Sequence, residues 1–355
     1  MVKITGVEYF AWLKGPLSTT ARCRSCIAAF MLAHLLFTPP VLAKTKESAT
    51  IKVENAKNMA GISNVIIASF SIAFVTEKSD AAFAGARNNF KAMGAITKAR
   101  LEGISAEDFQ AITDAAYEDF VVKITAAGYS IVDRSAMIRD KQMAKIQYLP
   151  SGAEGSLVFG KDSKAKARFF GPTAFGEWAI MKGETGEATA AAGGSVFGAF
   201  KAISAMGGPT TAKIYYSIYN GQPTISVAYV VDFASVERYG GRYAVQATVG
   251  LDASLAVVDA ISVVTTTSAK GATATATVAQ PIAVAGNFGR LQDTTTGGQT
   301  ASNVAGALIG GLFGSGSNSY KYVTFTAQPA TYRAGAIEAA KSATALIVPE
   351  IAARR

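Results

Sequence analysis

Apolar and polar positions along the chain alternate between a two-residue and a 3.6-residue rhythm, and the switch points mark the elements. Val65 to Val75 is a run of β-branched and aromatic residues with small partners, which predicts a strand. Ser105-Ala106-Glu107-Asp108 has the form of a capping box. Phe109, Ile112, Ala116, Phe120 and Ile124 follow it at helical spacing up to Gly128, which predicts a helix and its stop. Tyr129 to Arg134 predicts a short strand and Ser135 to Gln147 a second helix. Residues 78–104 are rich in Ala, Gly and Asn without a clean period and read as an insertion. Strand, helix, strand in this order predicts an α/β domain over residues 44–150.

From about residue 151 the period becomes two. Ile225, Val227, Tyr229, Val231 and Phe233 alternate with smaller or polar partners. Gly240-Gly241 supplies turn chemistry, and Tyr243, Val245, Ala247, Val249 and Leu251 resume the alternation. Two long antiparallel strands joined by this turn are expected. Thr265 to Val278 continues extended and low in charge, a segment that would aggregate if its edge were uncovered. Val304 to Phe313 is apolar with Gly306, Gly310 and Gly314 spaced through it and reads as a loop, and Tyr332 to Ala353 predicts a closing Ala-rich helix. The expected fold class is thus an α/β (α+β) N-terminal domain followed by a β-rich region over 151–331 with long antiparallel strands, and a C-terminal helix within 332–355.

The first 43 residues have a different character. Lys3, Lys14, Arg22 and Arg24 precede an apolar run from Cys26 to Phe37, followed by Pro39-Pro40 and the small-residue end at Ala43. This is the order of a secretory signal peptide, and the run of about 12 residues is short of the roughly 20 a spanning helix needs. Cleavage near Ala43-Lys44 is expected, with the chain exported to the periplasm or outer membrane of a Gram-negative-type cell.

Composition changes the picture through this leader. Cys23, Cys26 and His34 are the only residues of their kinds in the sequence, and all three lie within it. A processed chain therefore has no imidazole or thiol for Cys–His or Ser–His–Asp catalysis, for zinc or copper ligation, or for a disulfide. The expectation is a non-enzymatic protein with no catalytic residue, metal or cofactor. A hydrolase working through paired carboxylates is the remaining enzymatic alternative, although no spacing picks out a pair. The formal charge of +9, a third of it on the leader, falls short of a nucleic-acid footprint and favours lipid headgroups or glycans as counterparts.

Local motifs are few. Gly155 to Asp162 matches phosphate-loop spacing except that Asp162 replaces the Ser or Thr that would hold magnesium. Ser163 and Lys166 have the Ser-x-x-Lys spacing of serine acyl enzymes without a supporting helix start. In an extended segment Lys164, Lys166 and Arg168 share one face, and with Phe169 and Phe170 they form a candidate surface for headgroups or glycans. Leu308, Ile309, Leu312 and Phe313 form a candidate membrane-facing or partner-facing loop.

The strand at Val65–Val75, the capped helix from Ser105 and the sequence Gly128-Tyr129-Ser130-Ile131-Val132-Asp133-Arg134 together resemble the periplasmic domain of the curli-secretion-channel family, in which a Gly-aromatic-x-Val-Asp/Glu-Arg strand follows the first helix. The paired strands of 225–263 and the closing helix occupy similar positions to that family's. Its lipid-anchoring Cys has no equivalent, and residues 150–215 have no counterpart. The resemblance implies a ring-forming periplasmic domain at the outer membrane whose paired strands extend into a barrel. The function expected is an assembly or secretion component of the envelope, acting as a homo-oligomer or with an envelope protein and not with nucleic acid. The alternative is a soluble periplasmic binding or adaptor module.

Overall fold

The computed structural model describes residues 50–85, 93–176, 179–185, 188–189, 208–241, 244, 246–312 and 318–355. The expected leader, with Cys23, Cys26 and His34, lies outside them. In chain order the elements are β1 (Ile51–Glu54), β2 (Asn64–Ala84), β3 (Met93–Glu102), α1 (Ala106–Ala126), β4 (Ser130–Val132), α2 (Ser135–Ile138), β5 (Tyr148–Leu149), β6 (Ala153–Gly160), β7 (Ser163–Phe170), β8 (Ile180–Met181) and β9 (Ala188–Thr189). They continue with α3 (Pro209–Asn220), β10 (Thr224–Tyr239), β11 (Thr248–Val257), β12 (Val263–Thr267), β13 (Thr273–Val278), β14 (Ile282–Val284), β15 (Gly289–Asp293), α4 (Gly297–Leu312), β16 (Asn318–Ala327) and α5 (Pro329–Ala352). The class is mixed α/β, with long strands and a closing helix as the sequence predicts.

One mixed sheet takes in the described strands apart from β5 and β8, which pair with each other, and β2 is its spine. The first half of β2 runs parallel to β10, with Phe70 opposite Val227 and Phe74 opposite Val231. Its second half pairs antiparallel with β3 on one side and β7 on the other. The sheet continues from β3 to β16 and β15, and from β10 to β12, β13 and β1. The boundary expected near residue 150 therefore falls inside a shared sheet.

Helices α1 and α5 cover one face. Phe74 stacks on Phe109 of α1 with ring centroids 4.4 Å apart and meets Phe170 of β7 edge-on at 5.8 Å. Helix α5 presents Ala336, Ala339, Ala340 and Ala343, all fully buried, so small side chains bring its backbone close. The start of α1 is fixed as predicted: the Ser105 hydroxyl accepts from the Asp108 N–H, and the Asp108 carboxylate accepts from the Ser105 N–H. Replacing Ser105 with Ala is expected to cost about 1 kcal/mol in a urea titration. The helix stops at Gly128, whose φ of 89° suits a residue without Cβ.

Three expectations are corrected. Residues 78–104 are not an insertion: β2 runs through to Ala84 and β3 pairs with it. The inward positions here include Lys78 and Asp80, buried charges paired with Asp232 and Arg238, so charge replaces the apolar half of the alternation. The helix expected over 135–147 is a single turn, α2, followed by a 3-10 turn at Met143–Lys145. Asp133 and Asp140 accept from the N–H groups of Ser135 and Gln142, two residues on, which favours turns over a continuing helix. Leu308, Ile309 and Leu312 fall on helix α4 and not in a loop, while Phe313 lies outside the described residues. Thr296 and Gln299 cap α4 reciprocally, each side chain accepting from the other's N–H.

Strands β10 and β11 pair antiparallel as expected, but Tyr239 lies opposite Thr248, so the connection spans residues 240–247 and is longer than the Gly240-Gly241 turn, while Tyr243 and Val245 lie outside the described residues. Beyond the helical cover, the outer halves of β2 and β3 lie against those of β10 and β11 through Ala82, Ala84, Ala95, Ala247 and Val249. Their tips are tied by Gly241 N–H to Phe83 O at 2.7 Å and Gly85 N–H to Gly241 O at 3.2 Å. The Thr/Ala segment is the hairpin of β12 and β13, and β1 pairs with the far side of β13.

Candidate functional site

The outer half of β2 points Lys78, Asp80, Ala82 and Ala84 inward and Glu77 and Ser79 outward. On that outward face the register of five neighbouring strands assembles two rows. The first is Ser156 of β6, Lys166 of β7, Glu77 of β2, Arg100 of β3 and Thr324 of β16. The second is Val158, Lys164, Ser79, Lys98 and Tyr322 on the same strands. At about 4.8 Å per strand the rows span about 19 Å. They line an open groove of about 690 Å³.

Its charge is lopsided. Lys98, Arg100, Lys164 and Lys166 outnumber the one carboxylate of the lining, Glu77, with Glu102 at 3.4 Å from Arg100 and Glu154 near Lys166 at its margins. Glu77 holds Lys166 at 2.9 Å and pushes that ammonium above the ordinary lysine value, by a hydrogen bond first and by its charge second. Lys98 lies over the rings of Tyr320 and Tyr322, its Nζ 5.6 and 5.5 Å from their centroids. The tyrosines are set by the chain around β15 and α4. Tyr322 N–H donates to Thr295 Oγ1 at 3.0 Å, and the Asn303 side chain of α4 exchanges hydrogen bonds with the Tyr320 backbone at 2.8 and 3.0 Å, extending the sheet edge.

Of the residues singled out in the sequence, Lys164, Lys166 and Arg168 do share the solvent face of β7. Arg168 leaves the groove, however, and lies over Phe170 at 5.3 Å. Phe169 and Phe170 are core residues, 4% and 2% exposed, because both faces of β7 are covered at that end. They cannot contact a headgroup layer. Lys98, Arg100, Tyr320 and Tyr322 join the site only through tertiary pairing.

The remaining motifs dissolve into the sheet. Gly155–Asp162 is strand β6 and its turn into β7, with no helix to receive a phosphate. Ser163 is buried and donates to Asp80 Oδ1 at 2.5 Å, while Lys166 points to the opposite, exposed face. The outward positions on the β10 and β11 arms include Ser235, Glu237 and Asp252, all exposed. Among the described residues no cluster of His, Cys, Asp or Glu is arranged to hold a metal, and no helix is long and apolar enough to cross a membrane.

A second site lies on the opposite face of the sheet, under α3. Lys213 reaches down from α3 and donates to Glu184 Oε1 at 2.8 Å, Ser226 Oγ at 3.0 Å and Ser69 Oγ at 3.3 Å. Ser69, Ser226 and Thr265 form one cross-strand row over β2, β10 and β12. All three N–H bonds of the Lys213 ammonium are thereby used. Comparison of the chain with family models, curated proteins and solved structures finds no match, and the likeness to the curli-secretion-channel family rests on the residues quoted for it.

Proposed function

We propose that the protein is an exported, non-enzymatic binding module of the cell envelope that holds an acidic polysaccharide across the five-strand groove. The observation that carries this reading is the pair of cross-strand rows whose four cations exceed the carboxylates beside them, Glu77 in the floor and Glu102 and Glu154 at its margins, bordered by two tyrosines. The cations suit uronate or sulfate groups, and Tyr320 and Tyr322 supply flat faces for sugar rings. Ser79, Ser156 and Thr324 supply hydroxyls for hydrogen bonding. Glu77, paired with Lys166 at 2.9 Å, can also accept from sugar hydroxyls, which a phosphate chain does not offer. Export is part of the same proposal and is supported by the charged, apolar, small-residue order of residues 1–43.

The reading as a membrane-inserted channel would place the arms of β10 and β11 in lipid. That form needs an apolar face of these strands turned to lipid, whereas the apolar face of the arms, with Ala234, Val249 and Leu255, is buried within the protein and Ser235, Glu237 and Asp252 stand at the outward positions.

The test is binding of the full chain to polygalacturonate at low and high salt, beside neutral dextran and a single-stranded oligonucleotide. Binding to polygalacturonate that weakens with salt, and falls at least tenfold in the Lys98→Glu/Lys164→Glu variant, is the expected result. No binding, an unaffected variant, equal binding of dextran, or tighter binding of the oligonucleotide would overturn the proposal.

A further inference from the structure

The site under α3 contains a partly open cavity of about 120 Å³ between that helix and the sheet. Its floor is unusual for central strands. Where β-branched apolar residues are the rule, β2 places Ser69, Ser71 and Ala73 there, β10 places Ser226 and Ala228, and β12 places Thr265 and Thr267. Small and hydroxylated side chains at these positions leave space and keep it polar.

The hydrogen-bond inventory then specifies what would fill it. Ser69 and Ser226 accept from the Lys213 ammonium, so their own hydrogens are free to be donated to something else. Ser71, Thr265 and Thr267 make no hydrogen bond through their hydroxyls within the described structure. Glu184 spends Oε1 on Lys213, and its Oε2 is buried without a partner. An unpaired buried carboxylate oxygen is costly and calls for a donor. Arg134, the other cation near Glu184, stacks on Phe175 at 3.6 Å and donates through Nη2 to Ala68 O, but its Nε and the neighbouring Tyr148 hydroxyl are themselves buried without a partner and do not bond Oε2.

The cavity lining thus presents one ion pair of zero net charge, a waiting acceptor, and a row of hydroxyls that both donate and accept. We infer that it is a binding site for a small neutral polyol, whose adjacent hydroxyl groups donate to Glu184 Oε2 and accept from Ser69 and Ser226. A cavity of this size holds the volume of about four waters, matching a polyol of about three to five carbons. The apolar walls, Leu157, Phe169 and Ile261 among them, suit the C–H edge of such a chain. An anion is disfavoured because Glu184 faces it and Lys213 has no N–H left to offer. The site is on the other face of the sheet from the groove and does not depend on the polysaccharide reading.

The experiment is titration calorimetry of the full chain with erythritol and ribitol, with glycerate as the anionic control. Saturable binding of one of the polyols in the millimolar range is expected, without glycerate binding. In Ser226→Ala, and independently in Thr265→Val, the dissociation constant should rise at least fivefold while the thermal midpoint stays within a few degrees of the parent. Lys213→Met is the poorer probe, because it strands Glu184 and threatens folding. No saturable heat with either polyol, glycerate binding more tightly than they do, or unchanged affinity in both variants would overturn the inference.

Discussion

Phe74→Ala is expected to destabilise the protein by about 3–5 kcal/mol in urea titration. The ring is fully buried and sits at the junction of β2, α1 and β7, stacked on Phe109 and edge-on to Phe170. Phe109 also meets Tyr332 of α5 at 6.4 Å, so one truncation leaves a void where the sheet and both covering helices converge. The surrounding backbone is held by strand pairing on both sides of β2 and has little freedom to collapse into that void. A loss under about 1.5 kcal/mol would show that the layer is far less tightly packed.

The second large effect is expected at Lys78. Its side chain is 3% exposed and donates to Asp232 Oδ2 at 2.6 Å and to the Ala234 carbonyl at 2.7 Å. Lys78→Met removes the cation and leaves the Asp232 carboxylate buried, at a cost of about 3–5 kcal/mol. Adding Asp232→Asn should recover much of that loss, since the amide oxygen can still accept from the Phe233 and Ala234 N–H groups as the carboxylate does. The pH dependence has a definite sign. Burial pushes the Asp232 carboxyl above the ordinary aspartate value, opposed chiefly by the charge of Lys78. Without Lys78 the folded protein binds that proton more tightly than the unfolded chain does. The deficit of the single variant is therefore smallest below about pH 4, where an unfolded aspartate is protonated, and widens as pH rises through the folded-state value. Urea midpoints of the three proteins across pH 4 to 8 would check both statements, and a deficit that grew on acidification would contradict them.

Much of this architecture is legible along the chain wherever one face is apolar and the other is not. The α1 cap at Ser105, the stop at Gly128, the β10–β11 hairpin and the closing helix α5 all follow from local patterns. β3 is hidden because the outer half of its partner β2 buries Lys78 and Asp80, so hydrophobicity does not mark the inward positions. Helix α4 carries the same reciprocal cap as α1, in Thr296 and Gln299, but the glycines after Val304 mask it. The groove divides in the same way. Lys164 and Lys166 can be read as alternate residues of one strand, whereas Lys98 and Tyr322 become their neighbours only through β2 and β3. The floor of the polyol cavity leaves one local trace, Ser69 and Ser71 interrupting an otherwise apolar run.

The order of strands also governs when this molecule can exist. β2 needs β10, some 160 residues further on, and β3 needs β16, which lies farther still. Parallel pairings of that reach must close large loops before they gain contacts, which places such a fold among the slow ones. An emerging chain would carry one edge of β2 unmatched until about two-thirds of its length had been released and one edge of β3 until nearly all of it had, so open sheet edges would accompany most of its synthesis.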